Sequence, residues 1–435
     1  MNSSEFARRR RRLMRMMGGD SIAILPTAVS CQRNRDVEYP FRPDSNFYYL
    51  SGFPEQDAVL VLVPERKHGE YILFCRENDA TAEMWNGRRT GLKGACDLYG
   101  ADDAFPLDDI DDILPGLMEN RERVFYTMGL DKAFDQRLMD WLNSVRDKSR
   151  MGVHAPAEFV ALEHPIHEMR LIKSRTEIKT MRHAIKAATA AHKRAMRTCQ
   201  PGMMEYQVEA ELLHEFMQAG CRDAAYASIV GGGENACILH YTENRSILKE
   251  GDLLLIDAGA EHLCYASDIT RTFPVNGRFS NAQKQLYDVV LQAQLAAIDK
   301  VTPGAAWNEP HEAAVRVLTK GLLKLGLLKG TLAKAIKEEH YKKFYPHKTG
   351  HWLGMDVHDV GDYKVDGLWR CFEPGMVLTV EPGLYIPAGS PRVAKKWWDI
   401  GIRIEDDVLV TRDGCEVLSR GVPKTTEEIE ALMNG

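Results

Sequence analysis

No Cys-x-x-Cys pair occurs anywhere in the 435 residues, although nine cysteines are scattered along them: Cys31, Cys75, Cys96, Cys199, Cys221, Cys237, Cys264, Cys371 and Cys415. An odd number without paired spacing argues against a disulfide framework and against a thiolate zinc site, and it suits a reducing compartment. The cysteines therefore read as packing residues. Also missing is any apolar run near the ~20 residues that span a bilayer. No signal-peptide core follows the N-terminal charges, so a cytoplasmic location is expected. Positive charge is not in excess: 56 Lys+Arg against 62 Asp+Glu give a formal net charge of -6, which offers no electrostatic reason to expect nucleic acid as a partner. There is no low-complexity tract, and 44% hydrophobic with 27% charged residues is a globular composition. At this length two domains are expected.

What is present begins with a local exception to the charge balance. Arg8 to Arg12 form an unbroken run, with Arg15 close behind, among Leu13, Met14, Met16 and Met17. A transit peptide or a nucleic-acid arm would use such a run. The run leads almost directly into the apolar "SIAIL", which favours a surface helix with one charged and one apolar face.

Residues 1–172 alternate strand-like runs such as "AVLVLV" and "YILFC" with short polar connections and an acidic stretch from Asp102 to Asp112, the pattern of a small α/β domain. Residues 173–435 read as a second domain. Ser174-x-x-Glu177 makes a capping box at the head of a long helical pattern. A second helix runs over about Glu205 to Ala219 and stops at Gly220. Strands then dominate ("GDLLLIDAG", "YASDITRTFPV", "GMVLTVEPGLYI", "GIRIEDDVLVT"), with helices over Asn281 to Lys300 and about His311 to Leu325, and "TTEEIEALM" closes the chain. This is an α+β pattern with a largely antiparallel sheet. "Ile-Asp-Ala-Gly" (256–259) and "Val-Glu-Pro-Gly" (380–383) echo one another, and each precedes a strand carrying another acid, as a worn duplication would.

Four acids stand in these apolar strands: Asp257, Asp268, Glu381 and Glu405. An ionised carboxylate removed from water costs several kcal/mol unless a cation or hydrogen bonds compensate it. Side chains alternate along a strand, so Arg403 and Glu405 share one face of "GIRIEDD", and Asp268, Thr270 and Thr272 share one face of their own strand. His240, His347, His351 and His358 cluster in the same half. One reading pairs the acids with Arg271 and Arg403. The other compensates Asp257, Asp268, His351, Glu381 and Glu405 with metal. That oxygen-rich set suits Mn²⁺, Mg²⁺ or Fe²⁺, and two ions about 3.5 to 4 Å apart would use all five residues and hold a hydroxide between them.

"ILHYTEN", "IDAGAEHLCYASDITRTFPVNG", "HWLGMDVHDVG", "TVEPGLYI" and "GIRIEDD" resemble, in order, the motifs of the aminopeptidase P and prolidase family, whose pita-bread fold is shared with methionine aminopeptidase. "EYPFRPDSNFYYLSGFPEQDAVLVLV" and "EMWNGRRTG" resemble the N-terminal domain of bacterial aminopeptidase P, so the likeness covers nearly the whole chain. It implies a metal-dependent exopeptidase that removes the first residue from peptides with proline second. By resemblance, Asp257 holds one of two divalent ions, usually Mn²⁺, and His351 and Glu381 hold the other. Asp268 and Glu405 bridge them, and Glu381 also assists proton transfer. His240 and His358 contact the reacting carbonyl. Tyr226, His347, Tyr385 and Arg403 surround the substrate, with Arg150 and Asp36 carried over from the N-terminal domain. Trp85 resembles an aromatic that reaches a neighbouring subunit in tetrameric members, so a homo-oligomer, dimer or tetramer, is expected. Lys348 and Thr349 depart from the smaller residues of relatives. The rival functions are a prolidase confined to Xaa-Pro dipeptides and a non-catalytic pita-bread interaction protein.

Overall fold

The computed structural model describes residues 3–435, and these form two compact units that divide between Met169 and Arg170. The N-terminal unit is built on a six-stranded mixed sheet in the order Asp103–Pro106, Tyr71–Cys75, Val59–Leu62, Ser21–Pro26, Arg123–Phe125 and Glu158–Val160. Its three middle strands, Tyr71–Cys75, Val59–Leu62 and Ser21–Pro26, are short, buried and almost wholly apolar runs, as strands covered on both faces must be. Ile22, Ile24, Val61, Ile72 and Phe74 meet Leu138, Trp141 and Val145 of helix Lys132–Arg146 in one core. Each such side chain contributes about 1.5–3 kcal/mol by leaving water.

The arginine run does form a helix, Ser3–Met17, but its charges are not all on a solvent face. Arg9 and Arg10 are buried and donate to the Tyr49 and Leu50 carbonyls, 2.9 and 2.8 Å away, at the last turn of helix Ser45–Ser51. Their guanidinium carbons lie over the Tyr49 and Tyr71 rings, each 3.9 Å from the ring centre. Cations at a helix C-terminus meet the negative end of its dipole. This explains their burial without nucleic acid or membrane.

In the C-terminal unit the capping box at Ser174 and Glu177 starts helix Arg175–Thr198 as expected. Helices Glu205–Gln218, Asn281–Ile298, Glu309–Lys324 and Thr426–Asn434 follow. Every strand pairing in this unit is antiparallel. Leu253–Asp257 lies between Ile229–Gly232 and Thr270–Pro274. Val377–Val380 pairs with Asp406–Val410, and Gly383–Ile386 pairs with Ile400–Arg403. The two groups join at their second strands: Glu405 N donates to Thr270 O (3.0 Å), and Thr272 Oγ1 donates to Arg403 O (3.1 Å).

Three runs that read as single strands are broken, each at an acid. "YASDITRTFPV" divides into Tyr265–Ala266 and Thr270–Pro274 around Asp268. "GMVLTVEPGLYI" divides at Glu381 and Pro382, and "GIRIEDDVLVT" at Ile404 and Glu405. In the latter two the chain changes partner strands at the break, and Pro382 has no N–H to give a ladder. The breaks leave the carboxylates off the ladders, facing one another.

Candidate metal centre

The breaks open onto a cavity of about 610 Å³ in the C-terminal unit, lined among others by Tyr226, His240, Asp257, Asp268, His347, His351, His358, Glu381, Arg403 and Glu405. Every residue that the motifs single out in this half lies on it except Tyr385, whose hydroxyl touches two that do. Close main-chain approach shapes two walls. A Cβ on Gly259 would fall 1.7 Å from the Ser267 carbonyl oxygen, and one on Gly350 would fall 2.0 Å from that of Thr379. Only glycine fits at either position.

The acids are short of compensation. Tyr226 places one hydroxyl 2.6 Å from both Asp257 Oδ1 and Asp268 Oδ1, so a single proton serves two carboxylates. Arg403 donates to Asp257 Oδ2 at 2.6 Å, so part of the arginine pairing reading holds. Arg271 does not join in: it is fully buried against Asp406, outside the cavity lining. Glu405 accepts from Thr270 Oγ1 at 2.5 Å. The Glu381 carboxylate receives no hydrogen bond among the described residues, and its nearest cationic candidates are His347 Nδ1 at 3.7 Å and His351 Nε2 at 3.8 Å.

The proton affinities follow from this shortage. Burial, and then neighbouring carboxylates, raise Asp268, with Asp257 its chief like-charged neighbour. Glu405 is raised well above its ordinary value by burial and by Asp268 and Glu381. Burial lifts Glu381 to about 7. Asp257 alone stays below the usual value, since Arg403 and Tyr226 outweigh its burial.

His351 is held the way a metal-ligating histidine is held. Its Nδ1 is 2.9 Å from the Trp352 carbonyl, which can only accept, so Nδ1 donates and Nε2 faces Asp268 (3.4 Å) and Glu381. Against the pull of burial, Asp268 raises its affinity for a proton to about 9. Asp268, His351 and Glu405 offer ligand atoms within 4.8 Å of one another. Carboxylate oxygens around one imidazole, with fewer protein donors than lone pairs, fit a hard divalent cation.

A second wall has a determinate hydrogen-bond order. Arg403 donates to the Tyr385 hydroxyl (2.9 Å), that hydroxyl donates to His347 Nε2 (2.9 Å), and His347 Nδ1 donates to the Lys348 carbonyl (2.7 Å). Burial and Arg403 lower His347 to about 4, so its ring is neutral. His358 lies against His351 with ring centres 4.0 Å apart and planes inclined at 37°. His240 and His358 are both exposed to the cavity. Asp36, Trp85 and Arg150 belong to the N-terminal unit and are exposed there, Trp85 at 78% on helix Ala80–Asn86.

Some residues escaped the sequence reading. Asp359, next to His358, is buried between Arg170 (2.6 Å) and Lys173 (2.8 Å), which fixes the loop that carries both histidines. Asp407, behind the centre, accepts from the Asp268 backbone N–H at 3.3 Å. Thr349 bonds His311 Nδ1 (2.8 Å) and the Tyr345 hydroxyl (2.6 Å), and with the exposed Lys348 it lines an adjoining cavity of about 500 Å³ walled by Trp307, Tyr363 and Trp369. The third acid of "GIRIEDD" and the acid of "VHDVG" were the available signals.

The model of metallopeptidase family M24 matches residues 179–412, and that of the aminopeptidase P N-terminal domain matches residues 6–126. A Xaa-Pro aminopeptidase of Escherichia coli K12 is 45% identical over 434 residues, covering 100% of this chain and 98% of its own. Xaa-Pro aminopeptidase 3 of Rattus norvegicus is 35% identical over 99% of this chain and 86% of its own. An aminopeptidase structure from Pseudomonas aeruginosa superposes with a TM-score of 0.99 at 60% identity, covering 100% of this chain and 98% of that one. A zinc-substituted Escherichia coli aminopeptidase P in complex with product superposes at 0.97 with 44% identity over 100% and 98%.

Proposed function

Because the chain belongs to metallopeptidase family M24, we propose that it hydrolyses the first peptide bond of peptides whose second residue is proline. The observation that carries this reading is the cavity on which Asp257, Asp268, His351, Glu381 and Glu405 converge with too few protein cations to balance them. In this reading Asp257, Asp268, His351, Glu381 and Glu405 would together hold two divalent ions, Mn²⁺ being the one the resemblance implies. When bound, such ions supply the missing positive charge and a water acidic enough to attack at neutral pH.

The chain's own groups do the rest. Glu381, which faces the cavity among the other acids, takes a proton from the attacking water and delivers it to the proline nitrogen as the C–N bond breaks. His358 and His240 donate to the carbonyl oxygen as it gains charge. The ordered run from Arg403 through Tyr385 to His347 holds the wall beside the proline ring, and Arg403 keeps Asp257 ionised. Nine cysteines without paired spacing support a cytoplasmic site of action, the net charge of -6 gives nucleic acid no electrostatic foothold, and Trp85, exposed on helix Ala80–Asn86, supports assembly into a homo-oligomer.

The test is product analysis by mass spectrometry after metal stripping and Mn²⁺ readdition, with a longer Xaa-Pro peptide and an Xaa-Pro dipeptide side by side. Release of the first residue from the longer peptide is the expected result. Cleavage of the dipeptide alone would mark a prolidase, and cleavage of neither with metal bound would leave an interaction protein.

A further inference from the structure

Three potential ligands to which the motifs assign no role meet in the C-terminal unit apart from the acid-rich centre. His183 comes from helix Arg175–Thr198, Cys221 from the turn after helix Glu205–Gln218, and His262 from the end of strand Ala260–His262. One nitrogen of each histidine and the Cys221 sulfur lie within 4.8 Å of one another. Ligand atoms of a tetrahedral zinc stand roughly 3.5 Å apart, so small side-chain rotations close the difference.

The backbone holds all three in place. Ala260 and Glu261 pair with Ala224 and Asp223, a register that carries His262 alongside the segment leading back to Cys221. Helix Arg175–Thr198 packs on that same strand. The two imidazoles lie against one another with centres 4.1 Å apart and planes inclined at 37°. His183 Nε2 lies 2.9 Å from the Ala219 carbonyl, which can only accept, so the neutral ring carries its proton there and keeps Nδ1 as a lone pair. Such an outer hydrogen bond fixes the tautomer of a ligating histidine. Cys221 is buried, His262 half-buried and His183 exposed, which gives a cation a way in from solvent.

We propose that His183, Cys221 and His262 form a second metal site, of His₂Cys type, that takes Zn²⁺ with water in the fourth position. Cys221 loses its thiol proton to solvent as the metal binds. The site ties a helix, a turn and a strand together through one ion. It is chemically unlike the acid-rich centre, because sulfur and nitrogen donors select zinc or cobalt over manganese. Scattered cysteines without paired spacing argue against such a site, yet here the ligands come from three separate segments that only the fold assembles.

The experiment is a Co²⁺ titration of the full chain, followed by thiolate-to-cobalt charge-transfer absorption. The acid-rich centre has no cysteine, so cobalt there does not produce this band, and the outcome is independent of whether any peptide is cleaved. The band is expected in the unaltered chain and in Asp268→Ala, absent in Cys221→Ser, and to need about ten-fold or more cobalt in His262→Ala. His183→Ala, at an exposed position, reads the same loss should Cys221→Ser fail to fold. Turnover is expected to persist in the His183→Ala and His262→Ala variants. No charge-transfer band at saturating cobalt, or an undiminished band in folded Cys221→Ser, would overturn the proposal.

Discussion

Glu405 and Asp406 are consecutive and both buried, but their surroundings are opposite. Asp406 accepts from Arg271 (2.7 Å), Gln294 (2.7 Å), Ser419 (2.6 Å) and Lys424 (2.8 Å). Although burial opposes its charge, Arg271 and Lys424 hold it well below the usual carboxylate range. Among the described residues the Glu405 carboxylate accepts from Thr270 alone, and it shares its space with Asp268, Glu381 and Asp257. A buried acid whose oxygens are saturated by protein donors is part of the scaffold. A buried acid left under-supplied among its own kind awaits a cation. The chain turns from one condition to the other within a single residue.

The sharpest way to break that contrast is to delete on the under-supplied side. Asp268→Ala should abolish turnover and lower metal content together, by activity assay and elemental analysis; an active, fully metallated variant would refute the ligand role. On the saturated side, Asp406→Ala leaves Arg271 buried without its carboxylate and should destabilise the fold by about 3–5 kcal/mol, read as the denaturation midpoint. A loss under 1 kcal/mol would mean the pair is no more than a surface bridge.

Two histidines extend the comparison to pH. Where Asp268 raises His351, burial lowers the fully enclosed His192 to about 4, its Nε2 donating to the Ala258 carbonyl at 3.1 Å beside Asp257. The folded value lies below the unfolded one, so the neutral ring stabilises the fold above about pH 6.5, and that contribution is lost as pH falls toward 4. Its full size is roughly 3 kcal/mol. Chemical denaturation across this range should show the loss, and His192→Gln should remove that part of the slope; an unchanged slope would assign it elsewhere. The smallest effect is also the most pointed. Glu405→Gln in metal-free protein should gain on the order of 1 kcal/mol while turnover falls, because a carboxyl that burial and its acidic neighbours force to take up a proton is replaced by an amide that needs none. A lower melting midpoint in the presence of chelator would contradict the shortage of compensation.

Much of this was legible in the sequence, for physical reasons. The helix from Ser174 announces itself by a capping box, and apolar runs of four or five residues mark the strands. Acids placed among such runs point to a shared cavity. Pairing at long range was not legible. That Arg403 serves Asp257 while Arg271 serves Asp406 depends on which strands adjoin, and alternation along one strand cannot say. The breaks at Asp268, Glu381 and Glu405 were hidden because residues on both sides favour strand. The burial of Arg9 and Arg10 was missed because their partners are carbonyls some 40 residues away, which carry no sequence signal.

The junction of Glu405 with Thr270 and of Thr272 with Arg403 joins the strand that follows "IDAG" to the strand that follows "VEPG". The two echoes thus adjoin, and each contributes a pair of acids to the centre. Their surroundings differ: Tyr226 and Arg403 attend Asp257, while His351 approaches Glu381. A peptide has direction, and a frame with the same groups at both ends would receive it equally well either way round. Like acids with unlike neighbours give the centre a front and a back, which an enzyme that counts residues from one end of its substrate requires.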